Sequence, residues 1–149
     1  MAVLSEKTWE RHANPWSGFT RIISFPLLYL PLWYLSDFIA NPMKYWYVLF
    51  VGILVILWYT INPRTFQKPK DAHHYLTRGV LGEKIWTEDR RTDSIASILT
   101  FAMVPFFLLS IAAAYLQLFW PTLFFAVVPY LLKLRFIDRM VFLYDQSSH

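Results

Sequence analysis

The stretch YWYVLFVGILVILWYTI, Tyr45–Ile61, contains no charged residue, and its centre is rich in leucine and β-branched side chains. An uncharged run of this length is typical of a helix that crosses a membrane. The composition agrees, because only 16% of the 149 residues are charged and 56% are hydrophobic, whereas a soluble domain has about 25% charged residues. The sequence therefore predicts an integral membrane protein.

Two further segments are long and apolar enough to cross the bilayer. Residues 22–40 would extend about 28 Å as a helix, close to the hydrocarbon thickness. Pro26 and Pro31 interrupt this segment and predict a kink. Residues 95–120 form the next candidate, and their length allows a tilt.

A fourth segment begins at Pro121, a favourable first position of a helix. It is apolar up to Leu132, which alone is too short to span the bilayer. We expect Lys133 and Arg135 to extend their charged ends to the membrane surface while the helix continues, so the predicted span is residues 121–137.

Basic residues fix the predicted orientation. If the four segments form two hairpins, all Lys and Arg residues except Lys44 lie on one side of the membrane. Because basic residues accumulate on the cytoplasmic side, residues 1–21, 62–94 and 138–149 are predicted to be cytoplasmic. The sequence thus predicts an all-α, multi-pass protein of the inner (cytoplasmic) membrane, with both termini in the cytoplasm.

The central segment, residues 62–94, is too long for a simple connection. The pattern within it predicts one or two short helices that lie on the cytoplasmic membrane surface and are anchored there by Trp86. A further short helix, capped by Ser5, is predicted near the N-terminus. Together these segments predict a structured cytoplasmic cap on the four membrane-spanning helices.

Three motifs in the predicted cytoplasmic segments carry a family resemblance. They are HANPWSG at His12–Gly18 followed by Thr20-Arg21, NPRxF at Asn62–Phe66, and RGVLGExxW at Arg78–Trp86. Over most of its length the chain resembles a small prokaryotic membrane-protein family of unknown function, DUF6653. The resemblance implies no activity, but it implies that the three motifs belong together.

Two hypotheses place chemistry at the cytoplasmic face. The residues that would serve a membrane-embedded enzyme are His12, Asn14, Arg64 and Glu83. A zinc or iron site could use Glu10, His12, His73 and His74. Their spacing lacks both the His-x-x-x-His and the Glu-x-x-His pattern, so ordinary interfacial histidines are the favoured interpretation. No histidine lies in a predicted span, where a haem would need an axial ligand, and no cofactor is predicted.

A second candidate site consists of arginines that could converge at the inner interface and bind anionic lipid head groups, with Glu83 as a partner. These arginines are Arg21, Arg64, Arg78 and Arg139. The favoured alternative is that they provide topological charge and form salt bridges to Glu10, Glu83 and Asp138.

The spans contain no ionisable group between their ends, which argues against a proton relay or a monomeric transporter. The first functional hypothesis is a non-catalytic accessory or interaction subunit that binds lipid and other membrane proteins or a second copy of itself. The alternatives are an enzyme acting on a lipid-like or quinone-like substrate, and an oligomeric channel or transporter component. No nucleic-acid motif is present, so nucleic acid is not an expected partner.

Overall fold

The computed structural model describes residues 5–88 and 93–148, and every regular element in these ranges is a helix. A short 3-10 turn, Phe25–Leu28, lies between the second and third α-helices. In chain order the α-helices are α1 Glu6–His12, α2 Pro15–Ser24, α3 Tyr29–Trp33, α4 Leu35–Ala40, α5 Trp46–Thr65, α6 Tyr75–Glu88, α7 Ser94–Tyr115 and α8 Phe119–Ser147.

Four helical segments of the described chain are long and apolar enough to cross a membrane: Pro15–Ala40, Trp46–Thr65, Ser94–Tyr115 and Phe119–Ser147. The prediction of an all-helical chain with four such segments is confirmed. The helices do not share the limits of the predicted spans, since the first segment begins at Pro15 and α8 continues without a break to Ser147.

The first of these segments is broken in the region of Pro26, where α2 gives way to the 3-10 turn. Proline lacks the amide N–H that would continue the helical pattern. The Phe25 N–H bonds the Ile22 carbonyl at this point rather than that of Arg21, and the Arg21 carbonyl accepts a hydrogen bond of 3.1 Å from the Tyr59 hydroxyl on α5 and one of 3.3 Å from Ser24. A neighbouring helix therefore supplies the donor that makes the break tolerable in an apolar environment.

The second hairpin, α7 and α8, turns at Leu116–Leu118, so the predicted boundary between spans at Trp120 and Pro121 is displaced. Gln117 has a φ of 55°, in the left-handed region that is uncommon for residues other than glycine. Its side-chain amide donates to the Trp33 carbonyl at 3.2 Å and to the Asp37 carboxylate at 2.7 Å. These bonds connect the turn to the first hairpin.

Helix α6 packs closely along α8, and this contact builds the main buried cluster of the described residues. Trp86 is buried against Phe136, with ring centroids 5.4 Å apart in an edge-to-face arrangement, and Met140 completes the contact. The expectation that Trp86 anchors α6 to the membrane surface was therefore wrong. The ring faces the protein interior because α8 extends past the apolar segment and gives α6 a helical surface to pack on.

Gly82 lies where α6 approaches α8 very closely. A Cβ atom built on Gly82 would lie 1.9 Å from the Met140 carbonyl oxygen. Gly79 faces Ile137 with a similar but looser contact of 2.9 Å to a side-chain methyl group. The two glycines of the RGVLGExxW motif thus allow two helix backbones to lie against each other.

Candidate functional site

A cavity of about 480 Å³ lies between the first helical segment, α6, α7 and α8. Its walls are mainly apolar and include Ile22, Phe25, Met103, Phe107 and Ile137. Polar side chains line it as well, and besides two tyrosines they include four ionisable groups brought together from three parts of the chain: His12, Arg21, Glu83 and Lys133. The cavity is therefore amphipathic, with an ionic cluster beside a hydrocarbon-like interior.

His12 is buried next to this cavity, and both of its ring nitrogens have partners. Arg21 donates to Nε2 at 2.9 Å. A guanidinium can only donate, so Nε2 must carry a lone pair and the ring proton resides on Nδ1. Nδ1 then donates to the Ser17 hydroxyl at 3.1 Å. Arg21 thus fixes one tautomer of a neutral imidazole.

The hydrogen-bond chain continues from Ser17 to the next motif. The fully buried Ser17 hydroxyl donates to Oδ1 of Asn62 at 2.8 Å. The Asn62 amide donates to the Thr20 hydroxyl at 3.0 Å, and Thr20 donates to the carbonyl of Trp16 at 2.7 Å. This directed chain, from Arg21 through His12, Ser17 and Asn62 to Thr20, is called the polar relay below.

The environment lowers the pKa of His12 to about 4, first because burial penalises the charged imidazolium and second because Arg21 lies beside it. His12 is accordingly neutral at physiological pH. A pKa this low makes His12 poorly matched to general acid–base catalysis near neutrality. In this arrangement Nε2 of His12 holds one side of the Arg21 guanidinium.

Arg21 differs from Arg78 and Arg139 in its partners. No carboxylate pairs with Arg21 among residues 5–88 and 93–148; its guanidinium lies 5.9 Å from the centre of the Tyr59 ring and bonds His12. Arg78 instead pairs with Asp145 at 2.9 Å, and Arg139 pairs with Asp93 at 2.5 Å. Arg21 is thus a partly buried cation in an apolar cavity whose charge lacks an anionic partner in the described chain.

Lys133 adds a second cation to the cavity. Its ammonium group lies 3.5 Å from a Glu83 carboxylate oxygen and 4.3 Å from the centre of the Phe136 ring. With His12 neutral, the ionic cluster holds two cations and one carboxylate. It is therefore suited to a ligand that brings one negative charge.

Similarity to known proteins assigns the chain to one family. Residues 2–149 match the model of the Family of unknown function (DUF6653). The chain belongs to this family. No curated protein and no solved structure gave a significant match. In this DUF6653 member, three of the four groups in the ionic cluster lie in the motifs that carry the resemblance: His12, Arg21 and Glu83.

Only two of the four residues predicted to serve an enzyme lie at the cavity. His12 and Glu83 line the cavity. Asn14 caps α2 by accepting from the Trp16 amide at 3.0 Å, and its side-chain amide donates to the Gln67 carbonyl at 2.9 Å. Arg64 is exposed and donates to the Thr60 carbonyl of its own helix at 3.0 Å. Asn14 and Arg64 thus have structural contacts away from the cavity.

The predicted metal candidates are dispersed. Glu10 forms a salt bridge to Lys68 at 2.7 Å, and His12 is occupied in the polar relay. His73 and His74 are exposed, and Nδ1 of His74 accepts from the Leu76 amide at 3.2 Å. Among the described residues, no three or more His, Cys, Asp or Glu side chains lie close enough together to hold a metal ion.

The four arginines of the predicted lipid site also fail to converge, since only Arg21 lines the cavity. Sequence reasoning missed Ser17, Thr20, Asn62 and Lys133. The first three belong to the HANPWSG, Thr-Arg and NPRxF motifs, so the signal was present in the motifs that carried the family resemblance. In the sequence pattern, Lys133 is only a charge at the end of a predicted span.

Proposed function

We propose that this protein is a non-catalytic accessory or interaction subunit of the membrane that binds an anionic amphiphile in the cavity beside Arg21. The observation that carries this proposal is the partly buried guanidinium of Arg21, which has no carboxylate partner in the described chain. A charge held in an apolar environment is costly unless it is paired. An anionic head group would supply the missing pair.

The chemistry of the head group follows from the ionic cluster. The planar fork of arginine fits a phosphate or carboxylate better than a spherical ion. His12 positions one side of the Arg21 guanidinium, and the bond from Nδ1 to Ser17 holds the imidazole ring in turn. The polar relay therefore orients Arg21 before a ligand arrives, which reduces the entropy lost on binding.

The hydrocarbon part of the ligand follows from the walls. The residues next to the ionic cluster are aliphatic and aromatic, and a cavity of about 480 Å³ lies within the usual range for ligand sites. A molecule that is polar throughout would leave the apolar walls unmatched. A molecule that is apolar throughout would leave Arg21 without an anionic partner. An amphiphile satisfies both.

A non-catalytic role is favoured because the reactive groups are already engaged. Ser17 donates to Asn62 and has no exposed surface, and both nitrogens of His12 are hydrogen bonded. The second candidate is an enzyme that acts on a lipid-like or quinone-like substrate in the same cavity. Glu83 favours it, because this carboxylate lines the cavity and has only a long contact with Lys133.

Exchange of Arg21 tests the binding proposal. Delipidated protein in mild detergent would be titrated with a monoalkyl phosphate and, separately, with a zwitterionic amphiphile of the same chain, and complexes counted by native mass spectrometry. We expect the wild type to retain the phosphate preferentially and Arg21→Gln to lose roughly tenfold or more of that affinity, as expected for a charge-assisted pair. Arg64→Gln is the matched control and should bind as the wild type does.

Equal retention of both head groups by the wild type, or equal losses in the two variants, would contradict the proposal. The same spectra discriminate the alternatives. A converted amphiphile would favour the enzyme, and a stoichiometric membrane protein purified with the chain would identify the partner of an accessory subunit.

We further propose that the chain resides in the inner membrane with both termini and α6 in the cytoplasm, on the charge asymmetry described above. The sequence contains no cysteine, so a single introduced thiol can be labelled without background. Lys70 and Met43 are exposed, Met43 to 89%, and they lie in connections at opposite ends of α5.

A thiol reagent that cannot cross membranes should label Met43→Cys in intact spheroplasts, and should label Lys70→Cys only after the membrane is opened. Labelling of Lys70→Cys from outside, or of both positions from the same side, would refute this orientation.

A further inference from the structure

A second cavity, of about 500 Å³, continues the first one along the membrane-spanning helices. Its walls are almost entirely apolar and include Leu30, Trp33, Phe119, Leu123 and Val127. Phe25 and Tyr130 line both cavities. The two spaces are thus neighbours that share one pair of aromatic side chains.

The Phe25 and Tyr130 rings contact each other at this shared boundary. Their centroids are 5.9 Å apart with an interplanar angle of 38°. Phe25 is further held by an edge-to-face contact with Tyr29, at 5.8 Å and 76°. The pair therefore forms a partition between the cavity that contains Arg21 and the cavity that contains Trp33.

The partition lies close to Arg21, the side chain that would bind the head group. Phe25 follows Arg21 by about one helical turn, so the anion-binding side chain and the partition are carried by the same segment. On α8, the lining runs from Ile137 in the first cavity to Phe119 in the second, which is about 27 Å of helix and close to the hydrocarbon thickness. The two cavities together are therefore long enough for an extended hydrocarbon chain.

We propose that Phe25 and Tyr130 determine which chain length the protein accepts. This inference rests on the proposed binding of an anionic amphiphile at Arg21. A chain that begins at Arg21 is accommodated in the first cavity and ends at the aromatic partition. A longer chain must displace the Phe25 ring from Tyr130 and Tyr29 to enter the second cavity. The ligand class is therefore a single-chain anionic amphiphile selected by length.

The test is a competition among monoalkyl phosphates that differ only in chain length, offered together to delipidated protein and read by native mass spectrometry. The wild type should retain members up to a limiting length and discriminate against longer ones. In Phe25→Ala, retention of the longer members relative to the shorter ones should rise roughly tenfold or more, because misfit of even one methylene in a hydrophobic pocket is discriminated on that scale.

Two controls isolate the partition. Phe50→Ala removes the same side chain from an exposed position on α5 outside both cavities and should leave the length profile unchanged. Phe124→Ala, at an exposed position on α8 outside both cavities, should also leave it unchanged. If Phe25→Ala fails to fold, Phe25→Leu replaces it, and its profile should shift toward longer chains by a smaller factor.

The outcomes separate this inference from the proposed function. If the wild type binds through Arg21 but the Phe25 variants share the length profile of Phe50→Ala, the partition does not select and the inference is overturned while binding at Arg21 stands. If Arg21→Gln retains every chain length as the wild type does, the binding proposal fails, and the inference fails with it.

Discussion

Gly82→Ala is expected to separate α6 from α8 and to lower the free energy of unfolding by about 3 kcal/mol or more, at the upper end of overpacking effects. The added Cβ would lie 1.9 Å from the Met140 carbonyl oxygen and 2.6 Å from its carbonyl carbon. These are backbone atoms in the middle of α8, so they cannot move aside as a flexible side chain can. The thermal unfolding midpoint of the protein in detergent measures the effect.

Gly52→Ala is the matched control for this substitution. Gly52 also lies within a helix, but its nearest contact for a Cβ is the Pro31 Cβ at an ordinary 3.7 Å. Alanine there should be neutral or should stabilise by up to about 1 kcal/mol, because it has the higher helix propensity. Similar thermal unfolding midpoints for Gly82→Ala and Gly52→Ala would show that α6 does not pack closely on α8 at Gly82.

Asp93→Ala is expected to destabilise the protein by about 3 kcal/mol, toward the lower end of what removal of one partner from a buried pair costs. The Asp93 side chain is 2% exposed. It accepts from Arg139 at 2.5 Å and from the Ala96 amide at 2.9 Å, so it both pairs a cation and caps the first turn of α7. Because the Arg139 side chain is one-third exposed, water can compensate part of its lost partner.

Urea or thermal unfolding in detergent would measure this loss, with Asp93→Asn retaining the capping oxygen and falling between wild type and alanine. Glu10→Ala provides the comparison with a surface pair. Both Glu10 and Lys68 are exposed, so its removal should cost no more than about 1 kcal/mol. A cost for Asp93→Ala as small as that of Glu10→Ala would contradict the buried dual role of Asp93.

The helical class was predictable because uncharged runs such as Tyr45–Ile61 leave few alternatives to membrane helices. The turn at Leu116–Leu118 was not. Apolar residues continue across it, and no glycine or proline marks the left-handed position, which Gln117 occupies. Its stabilising bonds come from the first hairpin, and such tertiary partners do not appear in a local pattern.

Part of the site was predictable, because several of its residues belong to the three sequence motifs. The polar relay joins His12 and Ser17 of the first motif to Asn62 of the second, and the third motif reaches the same cavity through Glu83. The convergence of four arginines was not supported. Whether an arginine has a carboxylate partner depends on distant residues, as with Arg78 and Asp145, and no spacing rule in the sequence identifies such pairs.

The binding of an anionic head group by Arg21 is tested most directly by solid-state NMR of the protein in lipid bilayers, with a bound monoalkyl phosphate and nitrogen-labelled arginine. We expect a phosphorus–nitrogen coupling at the Arg21 guanidinium that corresponds to a hydrogen-bonded pair, with nitrogen and oxygen about 2.7–2.9 Å apart. Loss of this coupling in Arg21→Gln would assign it. A coupling that persists in Arg21→Gln, or none in the wild type, would contradict the proposed site.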